Sequence, residues 1–292
     1  MKQPRITVVT PSYQQASFLG QTMQSVLNQD YDNLEYIVID GGSTDGSADV
    51  ISSCEDQLSY WVSEKDHGQS HAINKGFARA TGDIYCWINS DDLLEPGSLD
   101  SVAKYFSENP DCEFLNGGCR TIDESGSPSP CHDENGVLHT ERHLEILPED
   151  AFTHWTQRWF AQQSTFWKAD LWKRCGGLDE SLHFAMDYDL WQRFSGHAKL
   201  HVVRDVLASY RFHSDAKCSV QLDALLIEIL DVQARHSTAE VRTFWKQCRQ
   251  AIELQKSSVP APLTNSDSHS LRHRILSALR RRLKTISKIA GT

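Results

Sequence analysis

Three short apolar runs in the first hundred residues, at 6–9, 36–39 and 84–88, alternate with stretches of helical apolar spacing at 18–27 and 70–80. That alternation predicts an α/β chain in which a mostly parallel, Rossmann-like sheet is flanked by helices, because a helix between two strands returns the chain in the same direction. Each run stops in polar or small residues: Thr10-Pro11-Ser12-Tyr13, Asp40-Gly41-Gly42-Ser43 and Asn89-Ser90-Asp91-Asp92. Ligands of open α/β sheets bind beyond the carboxyl ends of the strands, so the three clusters are expected to converge on one crevice.

The rest of the chain is organised differently. Between 106 and 150, Pro110, Pro128, Pro130 and Pro148 argue for loops around short elements. Aromatic-rich segments follow at 155–172 and 190–194. Leu222, Leu225, Leu226, Ile229 and Val232 repeat at helical spacing in a helical extension covering 216–255. Serines and prolines over 256–270 read as a linker. Eight cysteines without any CxxC pair or short-spaced Cys/His cluster indicate neither a zinc site nor a disulfide framework. With no apolar signal core at the N-terminus and no long apolar run, a cytoplasmic location is the expectation.

Charge separates the chain into two parts. Residues 268–292 hold seven Lys/Arg and no Asp/Glu, which leaves 22 basic against 39 acidic residues in the rest of the chain, or −17 against +7. An overall charge of −10 argues against bulk attraction to nucleic acid.

Two of the strand-end clusters have chemistry to offer. Asp91 and Asp92 suit a hard cation such as Mn²⁺ or Mg²⁺, which takes one or two carboxylates alongside water and phosphate oxygens. The same pair could instead cap the helix that follows. Asp40, before a glycine-rich turn, could accept a hydrogen bond from a base or ribose, or it could belong to a turn and helix cap alone.

In order and spacing, Thr10-Pro11-Ser12-Tyr13, Asp40-Gly41-Gly42-Ser43-Thr44-Asp45-Gly46, Asn74-Lys75-Gly76, Gly82-Asp83 and Asn89-Ser90-Asp91-Asp92 resemble the family 2 glycosyltransferases, inverting enzymes of the GT-A fold. The resemblance covers roughly residues 4–215 and implies a GT-A domain over 1–215, with a nucleotide-sugar-binding half at 1–105 and an acceptor half at 106–215. It further implies a nucleotide-diphosphate sugar donor and a glycan or lipid-linked acceptor. By position, Thr10 and Pro11 border the donor, Tyr13 resembles the residue packing on its base, and Asp40 the one bonding uracil, which favours a uridine donor. Asp66 and Lys75 resemble donor-site residues, Asp91 lies near the ribose and metal-bound waters, and Asp92 resembles the direct ligand of Mn²⁺ or Mg²⁺. An Arg is common in the family where His67 stands here.

On the acceptor side, Gln162-Gln163-Ser164-Thr165-Phe166-Trp167, Gly176-Gly177-Leu178-Asp179-Glu180 and Met186-Asp187-Tyr188-Asp189-Leu190-Trp191 extend the resemblance. The family commonly has Glu-Asp at the start of the last motif, its aspartate being the catalytic base; here Met186 replaces the glutamate. Asp187 carries the role by position, with Asp189 the alternative. On a helix these two point roughly 200° apart, so only one faces the crevice. Trp191, four residues on, either lines the acceptor or packs in the core. His213, in Tyr210-Arg211-Phe212-His213, resembles the histidine that many relatives supply to the metal or diphosphate. The QxxRW motif of processive members is absent, which implies one sugar per encounter. A nucleotidyltransferase would need a glycine-rich basic loop that Thr10–Gln15 lacks; a non-catalytic nucleotide-sugar-binding subunit is the other alternative, given Met186.

Finally, Leu271, Ile275, Leu279, Leu283, Ile286 and Ile289 project to one side of a helix over 271–292, with Arg274, Arg280, Arg281, Lys284 and Lys288 largely opposite. Such a tail either lies on an anionic membrane surface, making the enzyme peripheral, or binds a partner or the acidic body.

Overall fold

The computed structural model describes residues 3–129, 137–138, 161–214, 216–217 and 222–237, with the pairs 242–243, 245–246 and 249–250. The expected linker and basic tail lie outside the described residues, as do 155–160 of the aromatic-rich segment. The chain divides into two compact units, one of 1–144 with 158–220 and one of 145–157 with 221–292.

In the first unit the strands are β1 (Ile6–Ser12), β2 (Leu34–Asp40), β3 (Tyr60–Ser63), β4 (Ile84–Trp87), β5 (Leu93–Leu94), β6 (Phe114–Ile122), β7 (Val137–Leu138), β8 (Thr165–Lys168) and β9 (Leu200–Arg211). The helices are α1 (Ala16–Leu27), α2 (Ser47–Ser52), α3 (Gln69–Phe77), α4 (Ser98–Glu108), α5 (Ala169–Cys175) and α6 (Met186–Ser195). The strands form a sheet in the order β3-β2-β1-β4-β8-β6-β9-β5, with β7 beside β6. Its first four neighbours are all parallel, as the sequence predicts. Beyond β4 the sheet is mixed: β8 runs antiparallel to both β4 and β6, β9 parallel to β6, and β5 antiparallel to β9. The loop-rich reading of 106–150 missed the nine-residue strand β6, whose Asn116-Gly117-Gly118 centre mimics a turn in a local reading.

Two-residue periodicity divides the side chains of the parallel strands between two layers. Ile6, Val8, Tyr36, Val38, Ile84 and Cys86 join Leu19, Met23 and Val26 of α1 in one core. On the opposite face α3 lies across β1, so close that a Cβ on Gly76 would stand 2.5 Å from Val9 Cγ1. An aromatic cluster continues that second layer. Trp191 stacks on Trp87 at 5.6 Å and on Phe114 at 5.3 Å, and meets Trp167 at 5.5 Å.

The register determines the site. Ser12 pairs with Asp40, Asp40 with Ser63, and Val9 with Trp87. The polar ends of four strands therefore emerge side by side. Asp83, of the Gly82-Asp83 motif, accepts a 2.8 Å bond from the backbone N–H of Arg5 and fixes the start of β1.

In the second unit, helix α7 (Leu222–His236) carries buried Leu225, Ile229 and Val232, in agreement with the predicted apolar stripe. Asp231 pairs with Arg249 at 3.3 Å.

Candidate active site

A cavity of about 710 Å³ opens at the carboxyl edge of the sheet. Pro11, Ser12 and Tyr13 line it from the end of β1, Gly41 and Gly42 from the turn after β2, and Asp66, Gly68 and Gln69 from the entry to α3. Asn89 to Asp92 follow β4, Gln162 and Gln163 precede β8, and Met186 and Asp187 begin α6. Ser12 Oγ and Gln163 Oε1 are buried here without a protein partner. Orphaned polar atoms in a cavity suit a polar ligand able to satisfy them.

The two aspartates after β4 are placed very differently. Asp92 is fully buried and its carboxylate accepts three bonds, from Asn89 Nδ2 at 3.0 Å, Gln163 Nε2 at 2.9 Å and the Arg211 backbone N–H at 3.0 Å. Burial, reinforced by the neighbouring charge of Asp91, holds its carboxyl well above the usual range, against the lowering effect of those donors. Asp91 is partly exposed and stands 3.0 Å from Nε2 of buried His213, whose ring rests on Phe18 at 4.8 Å. Asp91, expected near the ribose, is thus the acid that meets His213; Asp92, expected as the direct ligand, faces protein donors.

Arg211 explains how this turn holds its shape. The side chain is fully buried, with Nε donating to the Asp91 carbonyl at 2.8 Å, Nη1 to the carbonyls of Asp123 and Glu124, and Nη2 to Gln21 Oε1 at 2.8 Å. Burial pulls its pKa down, opposed by the charges of Asp92, Asp91 and Asp123. Sequence alone gives Arg211 no role; the available signal is a cation set between the aromatic residues Tyr210 and Phe212.

On the opposite wall, the helix N-terminus separates Asp187 from Asp189. Asp187 lines the cavity and accepts the backbone N–H of Tyr188 at 2.7 Å. Burial pushes its carboxyl up to about 6, opposed by backbone N–H groups and the charge of Lys217. Asp189 turns inward and forms an ion pair with Arg193 at 2.9 Å, while Arg193 also donates to the Cys175 carbonyl at 2.8 Å. Trp191 is 2% exposed within the aromatic cluster, so of its two readings the structure supports core packing.

Elsewhere the structure redistributes the expected residues. Pro11, Tyr13 and Asp66 line the cavity, Tyr13 being 62% exposed. Thr10 does not; it lies buried within β1 with its hydroxyl 3.0 Å from Tyr36 OH. Asp40, expected to bond uracil, is fully buried and consumed by its own turn. It accepts from the N–H groups of Gly42 and Ser43 at 3.1 and 2.9 Å, and from the Ser43 and Ser63 hydroxyls, both at 2.6 Å. The positive φ of 80° at Gly42 completes that turn. Lys75 pairs with Glu64 outside the cavity, and Gly76 of the same motif serves helix packing. The sequence assigned no role to Lys217, which donates to Gln69 Oε1 at 3.2 Å while Gln69 Nε2 donates to Asn89 Oδ1 at 2.8 Å. No local signal marks that lysine.

The donor set fits a divalent cation. Asp91 offers a carboxylate oxygen and His213 an imidazole nitrogen, a combination acceptable to Mn²⁺ and, through oxygen, to Mg²⁺.

Two solved structures share this architecture. The mannosyltransferase PcManGT from Pyrobaculum calidifontis, in complex with GDP-Man and Mn²⁺, superposes with a TM-score of 0.61 at 19% identity over 99% of this chain and 85% of its own. S. aureus TarS 1-349, in complex with UDP-GlcNAc, gives 0.60 at 16% identity over 85% and 71%. The fold is GT-A. Residues 7–165 match the family model for glycosyl transferase family 2, and the chain belongs to that family. An uncharacterized glycosyltransferase of Rickettsia felis is 27% identical over 73% of this chain and 35% of its own length. Another, of Nostoc sp., is 30% identical over 43% and 42%. The match thus spans well under half of either relative.

Proposed function

We propose that this chain transfers a glycosyl group from a nucleotide-diphosphate sugar, with uridine as the base, to an acceptor hydroxyl in a single inverting displacement. The observation that carries the reading is that one cavity is lined on one wall by Asp91, which is backed at 3.0 Å by the buried ring of His213, and on another by the Asp187 carboxylate, with its pKa raised to about 6. A base for a sugar hydroxyl needs to be ionised near neutral pH and still accept a proton, and Asp187 satisfies both conditions.

In this reading Tyr13 packs on the nucleotide base, and Asp66, which lines the cavity beside Gly41 and Gly42, replaces Asp40 as the acid that bonds it. Asp187 takes the acceptor proton as the acceptor oxygen bonds to the anomeric carbon and the bond to the diphosphate breaks. Asp91 and His213 would hold Mn²⁺ or Mg²⁺, with Asp92 and Arg211 fixing the turn beneath them. Bound there, the cation would neutralise charge on the departing nucleotide diphosphate. Ser12 Oγ and Gln163 Oε1, the orphaned atoms, are available to donor hydroxyls.

One sugar is added per encounter, in surface polysaccharide or glycolipid synthesis. Among the described residues no helix is long and apolar enough to cross a membrane. The basic segment 271–292 would instead bring the enzyme peripherally to anionic lipid and a lipid-linked acceptor.

Release of free nucleotide from a panel of UDP- and GDP-sugars, with Mn²⁺, Mg²⁺ or chelator, tests this reading. A UDP-sugar should be turned over in a cation-dependent way, and Asp91→Asn should remove that dependence. Preference for a GDP-sugar would refute the uridine assignment, and full turnover in chelator the metal assignment.

A further inference from the structure

Outside the cavity, one cluster of side chains is unused by the proposed chemistry. His67, His71 and Glu180 place one potential ligand atom each within 4.8 Å of one another, and they form the one group of three or more His, Cys, Asp or Glu able to hold a metal ion among the described residues. His67 precedes Gly68 at the start of α3, and His71 lies in the first turn of that helix. Their rings are 4.9 Å apart and tilted by 31°. Nδ1 of His71 is buried with no hydrogen-bond partner. Glu180 comes from the loop after α5 and is steered toward them by Asn74, whose Nδ2 donates to Glu180 Oε1 at 3.0 Å. Asn74 also brackets Leu178, accepting from its N–H at 2.8 Å and donating to its carbonyl at 3.0 Å.

We propose that His67, His71 and Glu180 form a transition-metal site of the zinc class that fastens the 64–68 loop to the 177–181 loop. Two imidazoles and one carboxylate are a ligand set that zinc takes with water in the fourth position. Bonds of about 2.0 Å in a tetrahedron put ligand atoms about 3.3 Å apart. The cluster therefore needs to close by roughly 1.5 Å, within reach of side-chain rotation because His67 and Glu180 are both exposed. Asn74 supplies the outer hydrogen bond that orients the carboxylate ligand.

The position gives the site a consequence. None of the three lines the cavity, but Asp66, Gly68, Gln69 and His183 do, immediately beside them on both loops. The loops already meet through Ser70 Oγ, which donates to the Leu182 carbonyl at 3.3 Å. A metal bridge would clamp the donor-side wall to the acceptor-side wall next to that contact, restricting the opening of the cavity. The eight cysteines gave no such indication, because the ligands are histidines and a glutamate brought together from opposite halves of the unit.

The test uses the full chain without any sugar nucleotide, so that its outcome is separable from the proposed transferase reaction. Zn²⁺ binding is measured by competition with a chromophoric chelator, and Co²⁺ serves as a visible-absorption probe of the ligands. At least one equivalent should bind, and His67→Ala, His71→Ala and Glu180→Gln should each weaken one equivalent by about tenfold or more, while Asp170→Asn, at an exposed position on α5 away from both sites, leaves binding unchanged. Hydrogen exchange over 64–71 and 177–182 should slow on adding Zn²⁺ to the wild type and not to His67→Ala. Because His67 and Glu180 are exposed, these two variants keep the test valid if His71→Ala misfolds. Absence of Zn²⁺ binding, equal affinity in the ligand variants, or a strong thiolate-to-cobalt band would overturn the site. Binding without slowed exchange would overturn the clamp.

Discussion

Asp187→Asn separates catalysis from folding more cleanly than any other change at this site. The wild-type carboxyl, with a pKa of about 6, is roughly 90% ionised at pH 7 and roughly 10% at pH 5. Transfer, measured as kcat/KM, should therefore fall about ninefold from pH 7 to pH 5 along a limb centred near 6. Asparagine cannot accept the proton. The variant should lose about 10² to 10⁴ in transfer, or about 2.7 to 5.4 kcal/mol in the barrier. Its limb near pH 6 should vanish, and donor affinity should stay within about threefold. The sign for stability is opposite. A carboxyl raised from 3.8 to about 6 binds protons more readily in the folded chain, so its contribution is most favourable below 3.8 and is lost as pH rises through 6. At pH 7 that is a penalty of up to about 3 kcal/mol, which partial exposure reduces to about 1–2. Asp187→Asn should accordingly raise the melting temperature at pH 7 by about 2–6 °C. Asp189→Asn should do the reverse, breaking the ion pair with Arg193 and lowering stability while folded protein retains its pH limb. The reasoning fails if the limb persists in Asp187→Asn, or if Asp189→Asn removes it.

Two structural predictions accompany this one. Arg211→Met deletes a buried guanidinium that bonds three carbonyls and Gln21, and denaturant titration should show a loss of about 3–5 kcal/mol; a change below about 1 kcal/mol would refute its anchoring role. Gly76→Ala places a methyl 2.5 Å from Val9 Cγ1, which should cost about 1–3 kcal/mol with little change in KM for the donor. A large rise in KM at preserved stability would return the Asn74-Lys75-Gly76 motif to the donor site.

What the sequence determined follows from periodicity and local chain chemistry. Apolar runs broken by polar ends specify strands β1, β2 and β4 and the edge at which ligands gather, since burial of each strand forces its polar residues beyond the sheet. The spacing within α6 already required Asp187 and Asp189 to diverge. The tertiary structure alone decided what each polar group is free to do, because a carboxylate's availability depends on donors far away in the chain. Asp40 is taken up by its turn and Ser63 and Lys75 by Glu64, and of the three aspartates that line the cavity Asp92 is already bonded by Asn89, Gln163 and Arg211, Asp91 by His213 and Asp187 by a neighbouring backbone N–H. The same holds for Gly76, whose motif encodes a close approach between α3 and β1, and for His67, His71 and Glu180, which only the folding of α3 against the loop after α5 brings within reach of one another.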